Sequence, residues 1–579
     1  MDITRRGWLG ATAAGAAALG APLAANAATL ASPADQVDIP KARFQILSPG
    51  KVDYRPALEA LAAYARDELV ALGLPGMSLA VSDNDGFSAA IALGWADLAA
   101  REPLTSDRLF QIGSISKSFL ALSILSLADA GAVDLDAPIA KYLPDVPWPD
   151  APITVAQVLS HTSGLPDGAG LFPRVPNGRL WTGFPGGSKF SYSNTGFDLL
   201  GAMVEHVVGR RYQSVILDRV RGPLRLAAIN ESINQDNRAR FPKAYIPWDQ
   251  TVAAEMPLAS LQQAKWDPED SPAGSIAATA PLMAAYARAL CALGAGHGAP
   301  ILSDAAAGRF STGVIASDED FGPGSRYALG IAVQPVDGVP CLHHTGGMVA
   351  FSSSIHADPK AGVGAFASVN ARIGGYRPRK TTAYAISLMR AARAGQPLPA
   401  PPDPLSSSKP KDPSALLGRW LGPDGRSFAI EAGTDFPQLR SEAGAAPLYS
   451  AGGMLVTPHP AFSGYGFDPV RDGASATGLW WGETLFGRGG AIAQPAVPER
   501  LRTLTGAYIN RDPWDGNVVV LARGDSLVVE GFGTIVERGG YWALAKDTGG
   551  IERFWFDAFL NGRAQRVNLS GTDFDRIGV

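Results

Sequence analysis

Apolar residues return every three to four positions between Pro56 and Leu74, the period of a helix with one buried face, so the spacing predicts a long amphipathic helix there. Gly76–Val81 and Phe87–Leu93 are short apolar runs on either side of Asn84-Asp85-Gly86 and predict a hairpin. Ser116–Ala130 is strongly apolar and predicts a buried helix. Thr195–Val208 and Pro281–Leu293 predict two more helices. Four strands are expected in succession at Tyr327–Val333, Val339–His344, Phe351–Ala357 and Gly362–Asn370, with Pro335-Val336-Asp337-Gly338 turning the chain between the first two. Thr381–Ala394 predicts a closing helix. Helices at both ends and consecutive strands late in the segment imply a mixed α/β (α+β) unit: an antiparallel sheet carrying helices.

Beyond this unit the pattern changes. Residues 396–413 hold seven prolines in eighteen positions, which reads as an extended, semi-rigid linker. After it the chain appears in two similar copies. Leu416-Leu417-Gly418-Arg419-Trp420 parallels Leu504-Thr505-Gly506-Ala507-Tyr508 at an offset of 88 residues. Phe467-Asp468 parallels Phe556-Asp557, and Thr484-Leu485-Phe486-Gly487-Arg488 parallels Thr572-Asp573-Phe574-Asp575-Arg576, at nearly the same offset. Val518–Leu521 and Leu527–Val529 around Gly524-Asp525 form a hairpin signal. The expected organisation is therefore one large unit over 51–395 and two small antiparallel β-barrels over 414–495 and 496–579.

The first residues carry an address. Thr4-Arg5-Arg6-Gly7-Trp8-Leu9 places a twin arginine before an Ala/Gly-rich stretch, and Ala25-Asn26-Ala27 is a small-x-small cleavage site. Residues 1–27 read as a twin-arginine export signal, followed by an extension over 28–50, which implies a periplasmic or secreted protein. No later apolar run reaches 18 residues, so no membrane span is expected after cleavage.

Composition narrows the class. The chain has 579 residues, 46% hydrophobic and 18% charged, enough to bury several cores. With 50 Lys and Arg against 54 Asp and Glu, the net charge of −4 argues against a nucleic-acid partner. Two cysteines, Cys291 and Cys341, exclude a disulfide scaffold and any cysteine-built metal site; whether the two pair is open. There is no H-E-x-x-H and no G-x-S-x-G, which disfavours a metallohydrolase and an α/β-hydrolase, and no metal or other cofactor is expected.

Candidate chemistry sits at three places. Gly113-Ser114-Ile115-Ser116-Lys117 opens the apolar helix, and residues three apart on a helix share a face, so Lys117 stands beside Ser114. A serine becomes a nucleophile when a base or a nearby cation aids it, and a helix N-terminus offers N–H groups to an oxyanion. The same S-x-x-K spacing recurs at Ser406–Lys409 and Ser408–Lys411, but in proline-rich chain with no helix. The second place is Tyr192-Ser193-Asn194. A tyrosine acts as general base only when its phenolate gains about 4 kcal/mol of stabilisation, which a neighbouring ammonium supplies most simply. The third is His343-His344-Thr345-Gly346-Gly347 at a strand end, where the glycines permit close backbone approach. The remaining histidines are scattered, and His161 is expected to fix its own loop.

Leu109–Phe119, Leu127–Pro144, Ile153–Pro166 (with Leu159-Ser160-His161-Thr162-Ser163-Gly164-Leu165-Pro166), Phe190–Gly196, Pro272–Ser275 and Tyr327–Gly330 follow one another in an order that resembles the serine β-lactamase-like, penicillin-recognising hydrolases. That family includes class C β-lactamases, DD-peptidases, D-aminopeptidases and esterases. The resemblance implies that Ser114 is acylated, that Lys117 and Tyr192 share its proton, and that His344 assists Tyr192. It implies substrate contacts from Asn194, Thr345 and Gly346, and an oxyanion hole from the backbone N–H groups of Ser114 and Gly347. His344 stands where β-lactamases carry lysine. That removes a permanent cation for a β-lactam carboxylate and turns the reading towards peptidases and esterases. A catalytic unit followed by two barrels resembles D-aminopeptidases, in which a barrel loop reaches the active site.

The combined expectation is a serine hydrolase acting on a small peptide, amide or ester. A peptidase on short or D-residue-containing peptides comes first, a carboxylesterase of the same family second, and a slowly acylating sensor third. Oligomeric state is left open.

Overall fold

The computed structural model describes residues 38–226, 232–248, 256–268, 270–473, 475–512 and 515–577. The export-signal stretch 1–27 lies outside them, as does most of the extension that follows.

A ten-stranded antiparallel sheet organises the first half of the chain. Its strands are β1 (Arg43–Ser48), β2 (Gly76–Asp83), β3 (Ser88–Asp97), β4 (Glu102–Pro103), β5 (Ile315–Ala316), β6 (Arg326–Tyr327), β7 (Ala332–Val336), β8 (Val339–Gly347), β9 (Ser352–Asp358) and β10 (Val363–Val369). The order across the sheet is β1-β3-β2-β10-β9-β8-β7-β6-β5, with β4 paired to β3. The sheet thus begins inside the stretch read as an extension (28–50), because β1 pairs along β3 from Arg43 opposite Ala92. The central strands β2, β9 and β10 are buried on both faces, which is why they read as nearly continuous apolar runs.

Helices cover both faces. α1 (Arg55–Leu72) and α5 (Arg379–Arg393) pack with Leu79, Val81, Ala365 and Ala367. Ala80, Ile355 and Phe366 point the other way, into a core shared with α2 (Ser116–Asp129), α3 (Asn194–Val208) and α4 (Ala280–Gly294). α2 is buried nearly all round, as its composition requires. One expectation needs correction: the strand expected over Tyr327–Val333 is two strands, β6 and β7. Between them Gly330 takes φ +84° and donates its N–H to Leu159 O, 2.9 Å away. A β-carbon at Gly330 would lie 2.4 Å from the Ala121 β-carbon, so the chain breaks its ladder there to pass close over α2.

The proline-rich stretch does not stand free. Lys380 Nζ reaches Ser406 Oγ (2.6 Å), and Tyr384 OH reaches Pro399 O (3.1 Å), so its chain is laid along α5.

Two barrels follow. Nine strands between Gly418 and Arg488 curl until the first pairs with the last, leaving one seam between Gly444–Pro447 and Tyr449–Ala451. Eight strands between Gly506 and Ile577 close completely. The internal repeat has a structural counterpart. Trp420 Nε1 donates to Leu416 O (3.0 Å) in the first barrel, and Tyr508 OH donates to Leu504 O (2.7 Å) in the second. Arg488 lies over the Trp420 ring and Arg576 over the Tyr508 ring. Each pair of equivalents is 88 residues apart.

The barrels are joined by buried polar contacts. Arg523 binds Asp468 (2.7 Å) and Gly482 O (3.0 Å), Glu483 accepts from Ala522 N (2.7 Å), and Glu530 accepts from Gly466 N (3.1 Å). Burial pushes the Glu530 carboxyl up to about 7, against the pull of the Gly466 N–H and of Arg523. A carboxyl whose folded value is raised adds its full stability below its unfolded value and loses it as pH rises through the folded one. The joint is therefore expected to weaken between about pH 4.5 and 7. Glu530→Gln should gain on the wild type across that range, by up to about 3 kcal/mol at pH 8. Melting temperatures of both proteins at pH 5 and pH 8 measure this, and a difference that does not change with pH would refute it.

Candidate active site

Two of the three candidate segments, together with the loop that carries Ala273, meet at Lys117. A 3₁₀ turn, Gly113–Ile115, runs directly into α2, so Ser114 lies one turn ahead of Lys117. Lys117 is fully buried. Its ammonium donates to Ser114 Oγ at 3.1 Å, Asn194 Oδ1 at 2.6 Å and Ala273 O at 2.7 Å. It also lies 4.9 Å from the centre of the Tyr192 ring and 5.3 Å from that of Phe197.

Tyr192 and Asn194 are set by the start of α3. Ser193 is the N-cap: its hydroxyl accepts from Gly196 N at 3.0 Å and donates to Pro166 O at 2.7 Å. Ser193 N donates to His161 Nδ1 at 3.0 Å, and Asn194 N donates to Asp167 Oδ1 at 2.8 Å. The His161 ring stacks on Tyr192 with centres 4.1 Å apart. Burial, reinforced by the Lys117 charge, holds His161 well below the ordinary histidine range, so its Nδ1 stays available as an acceptor. His161 fixes its loop as expected, and that loop is the seat of Tyr192.

The strand end β8 closes the third side. His344 Nε2 is 3.0 Å from Tyr327 OH, its Nδ1 is 2.6 Å from Thr345 O, and its ring centre is 6.3 Å from that of Tyr192. His343 faces the opposite side of the sheet, where it stacks on His356 at 3.9 Å. Burial above all holds His343 far below its usual range and lowers His356 to about 3, so this pair is uncharged. Gly346 and Gly347 bring β8 backbone to backbone with the Ser114 turn. Gly113 has φ +58°, and a β-carbon on it would sit 2.3 Å from Gly347 N. One on Gly346 would sit 1.7 Å from Ile112 O.

Four participants had no side-chain signal in the sequence reading. The Ala273 carbonyl and the Tyr327 hydroxyl lie in segments matched only by resemblance. Asp167 sits in a loop without a motif. Glu552 comes from the second barrel, where it accepts from Asp167 N at 2.7 Å and from Ser570 Oγ at 2.9 Å. Around it, Trp181 Nε1 donates to Ile551 O and Asn568 Nδ2 donates to Arg174 O. The first barrel approaches from another side. Its turn at Ser450–Gly453 lines a cavity of about 450 Å³ together with Thr345, Arg377 and Lys380. The Thr345 hydroxyl is buried and has no hydrogen-bond partner among the described residues.

A helix-flanked antiparallel sheet with a Ser–Lys pair beside a tyrosine defines the serine hydrolases of β-lactamase type. The chain belongs to that family: the beta-lactamase family model matches residues 61–388. Penicillin-binding protein 4 of Amycolatopsis lactamdurans is 27% identical over 373 residues, 60% of this chain and 93% of that protein. Penicillin-binding protein 4* of Bacillus subtilis (strain 168) is 30% identical over 157 residues, 24% of this chain and 34% of that protein. Esterase EstB of Burkholderia gladioli is 32% identical over 161 residues, 23% of this chain and 41% of that protein. Among solved structures, the octameric penicillin-binding protein homologue from Pyrococcus abyssi shares the fold at a TM-score of 0.53 and 21% identity, covering 74% of this chain and 99% of its own. No helix among the described residues is long and apolar enough to cross a membrane.

Gly346→Ala drives a β-carbon into a carbonyl oxygen, so overpacking of about 1–3 kcal/mol or more is expected. Gly308→Ala, on an open helix face, serves as the control and should be neutral or stabilising by about 0.5–1 kcal/mol. Thermal unfolding of the two variants measures the contrast, and equal melting temperatures would contradict the close approach.

Proposed function

We propose that this serine hydrolase is an exported peptidase or amidase for short peptides, working through an acyl-enzyme on Ser114. The observation that carries the reading is the Lys117 ammonium, bonded at once to Ser114 Oγ, Asn194 Oδ1 and Ala273 O. With these acceptors around it, Lys117 takes the role of the resident cation. Tyr192, packed under that charge, then takes the proton. The Ser114 hydroxyl gives its proton to the Tyr192 oxygen as it attacks the substrate carbonyl carbon. The carbonyl oxygen becomes an oxyanion between the N–H groups of Ser114 and Gly347. As the C–N or C–O bond breaks, the leaving amine or alcohol takes the proton back from Tyr192, leaving an ester on Ser114. Water repeats the sequence, releases the carboxylic acid and restores the serine.

The supporting residues follow from their contacts. Asn194 Oδ1 is held by Lys117, which aims its amide nitrogen at a substrate carbonyl. His344, oriented by Tyr327, flanks Tyr192 without carrying a fixed charge. Thr345 and Gly346 edge the cleft, and Thr345 offers its hydroxyl to the leaving-group side. The two barrels approach from the Asp167 and Thr345 sides, an arrangement that suits short substrates. Arg5-Arg6 and the Ala25-Asn26-Ala27 site support export to the periplasm.

The second reading, a carboxylesterase, is favoured by the likeness to a protein named an esterase. Turnover of D- and L-aminoacyl p-nitroanilides is compared with that of p-nitrophenyl esters. Fast ester cleavage with no amide cleavage would remove the peptidase reading, and a stable Ser114 adduct without turnover would make the protein a sensor. Ser114→Ala should abolish both turnover and covalent labelling while leaving the fold intact; residual labelling would place the nucleophile elsewhere. Lys117→Ala and Tyr192→Phe should each cost several orders of magnitude in kcat/KM, and the double variant little more than either, because the two act as one unit.

A further inference from the structure

A second pocket, of about 360 Å³, lies behind the turn that follows Gly347. It is lined by Val349–Phe351, by Phe241, whose ring centre is 6.2 Å from that of Phe351, and by Trp266, and Gln111 lines its interior. Gln111 stands three residues before Ser114, on a two-residue strand opposite Ala277. It is 3% exposed, and its side-chain nitrogen is fully buried with no hydrogen-bond partner among the described residues. A buried amide donor left unpaired is uncommon in folded proteins and points to an absent acceptor. The volume is that of a small-ligand site.

The charges select the acceptor. Arg108 is engaged by Glu102 and by Ala239 O, so this one acid and one base largely cancel. Asp97 and Asp267 also line the pocket, Asp97 accepting from Ala100 N in its own turn, and the three cations Arg238, Lys243 and Lys265 outnumber these two acids. Arg238 lies over the Trp266 ring with its guanidinium 5.5 Å from the ring centre, and Lys243 and Lys265 line the same pocket. An amide donor inside, cations at the mouth and aromatic walls together fit an anion with an apolar body.

We propose that this pocket binds a small carboxylic acid with an aromatic or branched body, its carboxylate on Gln111 Nε2 and near Arg238, its body between Trp266 and the Phe241–Phe351 wall. The ligand is either a free acid or a carboxylate at the far end of a substrate. The site does not depend on the chemistry proposed for Ser114.

Phenylacetate is the probe, titrated calorimetrically into the full-length protein. Saturable binding is expected, weakened about tenfold or more by Gln111→Leu, which keeps the side-chain size but removes the donor. Arg238→Ala, at the exposed mouth, should weaken it severalfold and keeps the test alive if Gln111→Leu fails to fold. Phenethylamine, of the same shape and opposite charge, should not bind. Competitive inhibition of ester turnover by phenylacetate would identify the pocket as the far end of the substrate cleft; binding without inhibition would identify a free-acid site. Absence of binding, equal affinity in both variants, or equal affinity for phenethylamine would overturn the proposal.

Discussion

A charged group with no water around it must be met by oxygen on every side, and Lys117 is such a group. Its three acceptors come from the turn before α2, the start of α3 and the loop before α4. No two of these segments are neighbours in the chain, so burying one ammonium forces the serine, the Tyr192–Asn194 turn and the Ala273 loop into one place. Losing the Asn194 or the Ala273 acceptor would leave that charge poorly satisfied. The site is in this sense part of what the first unit needs in order to fold.

The other half of the geometry is steric. β8 meets the Ser114 turn at backbone distance because Gly113 and Gly346 carry no β-carbon. That contact sets Gly347 N beside the turn that opens α2, the end of the helix where free N–H groups lie. The outer layers then hold the inner one. Ser193 caps α3, His161 and Asp167 grip the backbone on either side of that cap, and Glu552 grips Asp167 from the second barrel. The second barrel is thus coupled to the site through hydrogen bonds to main-chain N–H groups, and the chain along α5 joins the first unit to both barrels.

Much of this was legible from periodicity. The apolar helix after Ser114, the amphipathic first helix and the late antiparallel strands all carry patterns that burial demands, and the structure places them within a residue or a few of the expected ends. The break between Tyr327 and Ala332 was not legible, since its cause is the Ala121 β-carbon on a helix two hundred residues earlier. The edge strand Arg43–Ser48 was missed because its exposed Phe44 and Ile46 give no core-facing alternation. The candidates the sequence offered, Ser114, Lys117, Tyr192, Asn194, His344 and Thr345, are ones with distinctive side chains in short motifs. Those acting through a backbone carbonyl, as Ala273 does, or through a commonplace acid, as Asp167 and Glu552 do, leave no trace in a single sequence.

The sequence by itself determined which chemistry was on offer, because a serine three positions before a lysine on an apolar helix, a Tyr-x-Asn turn and a Gly-Gly strand end are properties of short segments, set by local helix and turn geometry. Only the tertiary structure decided that the lysine serves three segments at once, that the strand end lies on the serine turn, that the second barrel holds Asp167 and that the first lines a cavity with Thr345. Those are long-range contacts, settled by the burial of one charge and the absence of two β-carbons, and neither condition is local to any stretch of the chain.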